Sequence, residues 1–123
     1  MGAQKRREAL QRGFDAEGYV ARRLGESGWQ LLERNWRGRG GEIDLIVRRN
    51  KSLRFVEVKA RSNDDDSGLE AIGAAKRSKL IRAAEAYLLD RDDFDEACFL
   101  VALVDLAAEP WSIELIDNAF DGV

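Results

Sequence analysis

Histidine is absent from the sequence, and its absence excludes more chemistry than any other feature of the composition. Without histidine there is no Ser-His-Asp or Cys-His catalysis, no histidine-ligated zinc and no nuclease that uses a histidine base. Cysteine occurs once, at Cys98, which excludes an internal disulfide and a cysteine-rich metal site. Any catalysis must therefore rest on carboxylates, lysines, hydroxyls and a bound metal ion.

Long apolar stretches and linker sequences are also missing. Proline occurs once, and no apolar run approaches the roughly 20 residues of a membrane span. Residues 1–12 are polar and basic and lack the apolar centre of a signal peptide. A chain of 123 residues suits a single core. We therefore predict a basic segment over residues 1–12 that begins the first helix, one domain over residues 13–123, and a cytoplasmic location.

Charge is distributed unevenly along the chain. Residues 1–61 carry a net +7 and residues 62–123 a net −10, which together give the formal net charge of −3. Such asymmetry is a recognised sign of a surface that binds a polyanion. The alternative is that the two halves pair with one another in the fold, and the sequence leaves both interpretations open.

Hydrophobic periodicity predicts seven elements in the order α-β-β-β-α-β-β. Helices are expected over residues 3–27 and 68–90, with a polar loop over residues 61–67. The apolar stripe of the first helix, the side that faces the core, is Leu10, Phe14, Ala21 and Leu24. The apolar stripe of the second is Leu69, Ile72, Leu80, Ala83 and Tyr87. Strands are expected over residues 29–37, 42–48, 53–60, 98–106 and 112–117. Helices that can cover a central mixed sheet predict an α/β domain.

The second and third strands form the most informative stretch. If their turn is centred on residues 50–51, Asp44 lies opposite Glu57. Glu42 then lies opposite Lys59. Because side chains alternate across a strand, these four charged groups are expected on one face. The other face is expected to be core, formed by Ile43, Leu45, Val56 and Val58.

Two carboxylates placed opposite each other need compensation. At a Cβ separation of roughly 4.5–5.5 Å, two ionised carboxylates repel by about 3 kcal/mol in an effective dielectric near 20. A cation removes that repulsion, and carboxylates with few other ligands suit Mg²⁺ or Mn²⁺. Lys59 would then position a water and offset phosphate charge, as metal-assisted phosphodiester hydrolysis requires. The alternative is a solvated strand face, with surface pairs worth about 0–1 kcal/mol.

Two charged residues interrupt the apolar stripes of the helices. Glu17 occupies a stripe position of the first helix, where a carboxylate is costly unless it is paired or bound to metal. Lys76 interrupts the stripe of the second helix, although lysines reach solvent easily. One carboxylate and one lysine on core-facing stripes fit a shared polar pocket over the sheet.

Several segments closely resemble the YraN-like family of uncharacterised bacterial proteins. The matching segments are Glu17, residues 35–37 (NWR), residues 41–46 (GEIDLI), residues 55–61 (FVEVKAR), Lys76 and residues 83–88 (AAEAYL). This family resembles a branch of the PD-(D/E)xK, or restriction-endonuclease-like, superfamily and is similar to archaeal Holliday-junction resolvases. The combination of the two hairpin blocks is highly specific, whereas a single ExK would carry no weight.

The resemblance implies a fold and a set of site residues. The fold is an αβββαβ core, with a central mixed sheet flanked by helices. Asp44, Glu57 and the backbone carbonyl of Val58 are implied ligands of Mg²⁺ or Mn²⁺, and Lys59 is the implied catalytic lysine. Glu17 is implied as an added acid that lies near the metal or holds a second one. The sequence departs from the family pattern at residues 98–100 (CFL), where Arg-Phe-Asp is usual, and at Ala16, where glycine is usual.

These observations predict a magnesium-dependent endonuclease that hydrolyses DNA, with branched and damaged DNA as candidate substrates. Contacts to the nucleic-acid backbone are expected from Arg34, Arg37, Arg39, Arg61 and Lys76. Solvated turn positions are the alternative for the arginines. A homodimer is expected if the substrate is a junction.

Two other functions remain open at this point. One is a non-catalytic module that kept the nuclease fold and binds nucleic acid or a protein. The other is a structural adaptor whose hairpin face is purely ionic.

Overall fold

Two helices and five strands follow one another in the predicted order in the computed structural model of the protein. It describes residues 3–61 and 72–122, and the side chains of the first helix only from residue 15 onward. The elements are α1 (Ala3–Glu26), β1 (Gln30–Gly38), β2 (Gly41–Arg49), β3 (Ser52–Arg61), α2 (Ala74–Leu88), β4 (Glu96–Asp105) and β5 (Ser112–Asp117).

The strands form one mixed sheet in the order β1-β2-β3-β4-β5. Strands β3 and β4 are parallel, and the other neighbouring strands are antiparallel. A parallel pair needs a long crossover connection, and the chain between β3 and β4 contains α2. The α/β class is confirmed, and the arrangement is compatible with an αβββαβ core.

Each helix supplies one apolar layer, and the two layers contain different strand residues. The α1 layer uses Ala16, Val20 and Leu24, which recur every four residues and therefore share one side of the helix. The α2 layer is built on Leu80, Ala83, Ala84 and Tyr87. The strand side chains of the α1 layer include Leu45, Val56 and Ala102, and those of the α2 layer include Ile46, Phe55 and Phe99.

The second helix starts later than its apolar pattern predicts. It begins at Ala74, after Gly73, whose φ of −73° and ψ of 171° are extended rather than helical. Ile72 is buried as expected, but it precedes the helix. The predicted residue Leu69 and the polar loop beyond residue 61 lie outside the described residues, as do the side chains of Leu10 and Phe14.

The hairpin of β2 and β3 has the predicted turn. Its pairs run from Arg49 with Ser52 to Leu45 with Val56. Asn50 takes a left-handed conformation, with φ 56°, which asparagine tolerates better than most residues. Neither of the described helices is long and apolar enough to cross a membrane.

Candidate active site

The regular pairing of the sheet is interrupted at Asp44. The β1–β2 ladder omits Asn35 and Asp44, although the pairs on both sides of them are formed. Asn35 has φ 52°, a left-handed conformation that is uncommon within a strand. The β2–β3 ladder ends at Leu45 and Val56, one step before Asp44 and Glu57 would pair. Three strands therefore depart from regular geometry around one carboxylate, and such departures concentrate at functional sites.

Side-chain alternation also changes phase at this point. Ile43 and Ile46 both pack in the α2 layer, whereas Leu45 packs in the α1 layer. In a regular strand Ile43 and Leu45 would face the same side. The prediction that they share one core face is therefore wrong, because the chain is displaced at Asp44 between them.

The carboxylate of Asp44 takes the place of a backbone acceptor. The Val58 N–H donates to Asp44 Oδ2 at 2.8 Å. In an extended residue the N–H and C=O face the same neighbouring strand, so the main chain of Val58 is directed toward β2 and Asp44. The contact observed at Val58 is thus made by its N–H, and the role expected of its carbonyl stays a prediction.

Glu57 is a buried carboxylate with one cationic partner. The residue is 5% exposed, and its Oε2 lies 2.8 Å from Lys76 Nζ at the start of α2. Among the described residues Oε2 has no partner with hydrogen-bond geometry, so its contact with Lys76 is an ion pair. Burial alone lowers the pKa of Lys76, but the hydrogen bond and charge of Glu57 outweigh it and leave that pKa raised. Lys76 therefore stays charged, and about half of its side chain remains exposed.

The carboxyl group of Asp44 keeps its proton to an unusually high pH, and the neighbouring Glu57 is one of the causes. Burial is the largest cause that raises the pKa of Asp44, and the hydrogen bond and charge of Glu57 raise it further, to about 9. The charge of Glu17 acts in the same direction, and the Val58 N–H acts against it. A raised carboxyl pKa beside a second carboxyl group is typical of functional sites.

Glu17 lies near Asp44 but is held by other groups. Its side chain is 15% exposed, and its Oε1 accepts a hydrogen bond from Asn35 Nδ2 at 3.2 Å and lies 3.6 Å from Arg34 Nε. Across the described residues no group of three His, Cys, Asp or Glu side chains is arranged to hold a metal ion. The acid from α1 thus acts on Asp44 through its charge, from a position fixed by β1.

A cavity of about 250 Å³ opens beside the carboxyl pair. It is lined by Gly40, Gly41, Glu42, Asp44, Glu57, Lys76, Lys79 and Leu80. Lys59 is half-buried on β3, and it is not among the lining residues. The predicted pairing of Glu42 with Lys59 is not formed, because the β2–β3 ladder ends at Leu45 and Val56. The carboxylate of Glu42 forms an ion pair with Arg37 of β1, at 3.6 Å.

Gly41 sets the position of α2 over the cavity. A Cβ on this buried residue would lie 2.3 Å from the backbone oxygen of Lys79 and 3.1 Å from Ala83 Cβ. Only glycine allows the helix to approach β2 this closely. The first two turns of α2, with Lys76 and Lys79, are consequently placed at the cavity. Lys79 was not among the predicted site residues, and its only signal was its spacing of one helical turn from Lys76.

The predicted nucleic-acid contacts are scattered. Arg34 is half-buried beside Glu17, whereas Arg37 is 80% exposed near the cavity rim. Arg39 is exposed in the β1–β2 turn with φ 52°, and Arg61 ends β3. Of the five predicted contacts, only Lys76 lines the cavity of the carboxyl pair.

Comparison with known proteins places these residues in a family. Residues 16–108 match the model of the "Uncharacterised protein family UPF0102", a range that contains the carboxyl pair and Lys76. The chain belongs to this family. The resemblance to YraN-like proteins is thereby confirmed.

Individual UPF0102 proteins match over most of their length. A UPF0102 protein of Synechococcus sp. (strain JA-3-3Ab) is 47% identical over 105 residues, which cover 82% of this chain and 80% of the relative. The UPF0102 protein NE0719 of Nitrosomonas europaea is 44% identical over 111 residues, or 89% of this chain and 93% of the relative. One from Dechloromonas aromatica is 51% identical over 85 residues, or 68% of this chain and 71% of the relative.

Proposed function

We propose that the protein is a divalent-cation-dependent endonuclease that hydrolyses phosphodiester bonds in DNA, with Asp44 and Glu57 at the centre of its active site. The observation that carries the proposal is the close approach of two carboxyl groups at a break in the sheet, with Glu57 buried and Asp44 half-buried. Like charges in a dry site weaken the fold unless something compensates them. Positions that break local rules without a gain in stability are candidate functional positions.

The donor set fits Mg²⁺ or Mn²⁺. Magnesium is usually held by one or two carboxylates, with waters and substrate phosphates as the remaining ligands. Asp44 and Glu57 would supply the two carboxylates, and the β2-facing main chain of Val58 lies beside them. A bound cation would neutralise the charge that builds up on the phosphate. The same donor set does not fit zinc, which takes three or four protein ligands, commonly His or Cys.

The lysines of the chain would hold the substrate and the water. Lys76 is already charged and half exposed at the cavity, so its ammonium can donate to a phosphate oxygen without leaving the site. Lys79 lies at the same cavity and adds a second positive charge. Lys59 follows Glu57 by two residues on β3, and we assign it the orientation of the attacking water.

A cleavage panel tests the proposal. The protein is incubated with single strands, duplexes, flaps and four-way junctions of DNA, with Mg²⁺, Mn²⁺ or excess chelator. We expect cleavage of at least one substrate with a metal ion and none with chelator. No cleavage of any substrate with either ion would overturn the proposal.

Variants at the same site separate chemistry from binding. Lys59→Ala and Glu57→Gln are expected to lose cleavage by a factor of about 10² or more while DNA binding persists. Lys51→Ala is the matched control, because Lys51 is an exposed lysine in the turn at the opposite end of β3. Cleavage by the Glu57→Gln variant at the rate of the natural sequence would exclude the carboxyl pair as the active site.

One observation favours a second candidate, a nucleic-acid-binding module without catalysis. Lys76 already neutralises Glu57, and Glu17 is held by Arg34 and Asn35, so neither carboxylate lacks a counter-group. Such a module would bind DNA without any metal-dependent cleavage. Its thermal stability would also be the same with and without Mg²⁺.

A further inference from the structure

A second cavity, larger than the first, lies against the other helix. It has a volume of about 550 Å³, within the roughly 300–1,000 Å³ range of small-ligand sites. Its walls come from α1, from Arg34 of β1 and from the connection between β4 and β5. No residue of the carboxyl pair lines it, so it is separate from the cavity over Asp44 and Glu57.

One wall of this cavity is aromatic and is fixed before any ligand binds. The hydroxyl of Tyr19 donates to the backbone oxygen of Trp111 at 2.6 Å, which ties α1 to the β4–β5 connection. The two rings meet edge to face, with centroids 5.8 Å apart and planes at 80°. Arg23 Nη1 donates to the same hydroxyl at 3.1 Å. A half-buried indole held in this way is a stacking surface that needs little ordering.

The charges of the lining discriminate between ligands. Arg22 and Arg34 line the cavity together with Asp15 and Glu109, so the lining is balanced in formal charge. A bare phosphate would be attracted weakly by a balanced lining. Guanidinium groups bind phosphate oxygens, and carboxylates accept hydrogen bonds from the amino groups of bases. Together with the aromatic wall, this chemistry fits a ligand that carries both a base and a phosphate.

The cavity is connected to the carboxyl pair through two residues. Arg34 lines the cavity and lies 3.6 Å from Glu17, which accepts a hydrogen bond from Asn35. Asn35 is the β1 residue opposite Asp44 at the break in the sheet. A nucleotide bound at Arg34 would thus be linked to Asp44 through Glu17 and Asn35.

We propose that the Tyr19–Trp111 cavity binds an unpaired nucleobase of a single-stranded segment adjoining the phosphodiester that is cleaved. This inference rests on the proposed function and names its substrate class, nucleic acid with a single-stranded portion. A base inside a duplex is stacked on both faces and would have to be flipped out to reach Trp111, whereas an unpaired base stacks without that cost.

The test measures binding without cleavage. A short oligothymidine with one central 2-aminopurine is titrated with the protein in excess chelator, and quenching of the 2-aminopurine reports stacking. We expect quenching with the single strand and little with the matching duplex. Trp111→Ala should weaken binding about tenfold or more and abolish quenching, and Trp111→Phe should retain both. The Tyr19 bond is to the main chain of residue 111, so the substitution leaves its acceptor in place.

A second variant tests the cavity without changing a core residue. It replaces Arg22, and its control replaces Arg82; both arginines are exposed. Arg22→Ala should weaken binding several-fold, and Arg82→Ala, at an exposed position on α2, should bind as the natural sequence does. Unchanged affinity and quenching in both Trp111→Ala and Arg22→Ala would overturn the inference, as would equal quenching with the duplex. If cleavage is observed but these variants bind normally, the cavity assignment fails and the nuclease proposal stands. If the variants weaken binding but no cleavage is observed, the cavity is a binding site in a protein that does not hydrolyse DNA.

Discussion

Arg54 and Glu57 are both buried side chains of β3, and their neighbours differ completely. Arg54 is met by two carboxylates, with Asp117 at 2.7 and 3.2 Å and Glu96 at 2.6 Å. It also donates to the backbone oxygen of Leu53 at 3.0 Å. Burial lowers the pKa of Arg54, but these carboxylates outweigh it, so the pKa is raised and the charge is retained.

Glu57 has Lys76 as its ion-pair partner and the carboxyl group of Asp44 as its second neighbour. In the Arg54 cluster the buried charge is met by two opposite charges, so we call this cluster complete. It joins β3 to the first residue of β4 and the last residue of β5. The Glu57 cluster also has one cation and two acids, but its buried charge is an acid that faces a second acid, so we call it incomplete. It lies where the ladder ends. A complete buried ionic cluster serves the fold, and an incomplete one is a site that a cation can complete.

The largest expected effect is the loss of the complete cluster. Arg54→Leu should lower the free energy of unfolding by about 2–3 kcal/mol. This is less than the roughly 3–5 kcal/mol for breaking a buried pair, because Asp117 and Glu96 can turn toward water. Urea denaturation measures the change. Arg82→Leu, at an exposed position, should change it by less than about 0.5 kcal/mol. Equal effects of the two variants would show that the Arg54 cluster contributes nothing to stability.

The next effect concerns the glycine that lets α2 reach the incomplete cluster. Gly41→Ala should cost about 2 kcal/mol, because its Cβ would overlap the backbone of Lys79. It should also weaken Mn²⁺ binding measured by calorimetry, since the cavity beside Asp44 and Glu57 changes shape when the helix is displaced. Gly25→Ala is the control, in a helical position with open space around it, and should stabilise the protein by up to about 1 kcal/mol. A fully stable Gly41→Ala variant would contradict this packing.

A smaller change of opposite sign is expected at the carboxyl pair. Asp44→Asn should stabilise the protein in chelator by about 1–2 kcal/mol at pH 8, because folding then no longer requires Asp44 to take up a proton at a pH where the unfolded chain is ionised. The pKa of Asp44 is raised from 3.8 to about 9, so the natural protein loses stability as pH rises between those values, by at most about 1.4 kcal/mol per pH unit.

The pH profile provides the measurement for this prediction. Unfolding free energies of the two proteins in chelator should coincide below pH 4 and diverge as the pH rises. Asp92→Asn, at an exposed position before β4, serves as the control and should follow the natural sequence. Adding Mg²⁺ should stabilise the natural sequence and leave Asp44→Asn unchanged. Parallel profiles at all pH values would mean that Asp44 does not hold a proton in the folded state.

The smallest expected effect shows whether Lys76 competes with the metal ion or supports its site. Lys76→Met should tighten Mn²⁺ binding by up to about fivefold, because the ammonium no longer competes for Glu57. Isothermal titration calorimetry measures the affinity. Lys51→Met, at the far end of β3, should bind Mn²⁺ as the natural sequence does. A weaker affinity in Lys76→Met would mean that the lysine supports the metal site instead of competing with the ion.

Much of the fold follows from local pattern. The order of the seven elements, the hairpin turn and the β2–β3 register were predictable, because period-two and helical periodicities are properties of neighbouring residues. The start of α2 was predicted too early because Ile72 continues the apolar spacing, although Gly73 is extended. Apolar spacing does not fix where a helix begins.

The sequence by itself determined that Asp44 and Glu57 approach each other, because the turn at residues 50–51 fixes which parts of the hairpin meet. Only the tertiary structure decided that the ladder ends before them and that Lys76 is their cation. It likewise decided that Glu17 is held by Arg34 and Asn35. Those contacts depend on how closely each helix packs on the sheet, as at Gly41 against Lys79, and such distances arise between segments far apart in the chain.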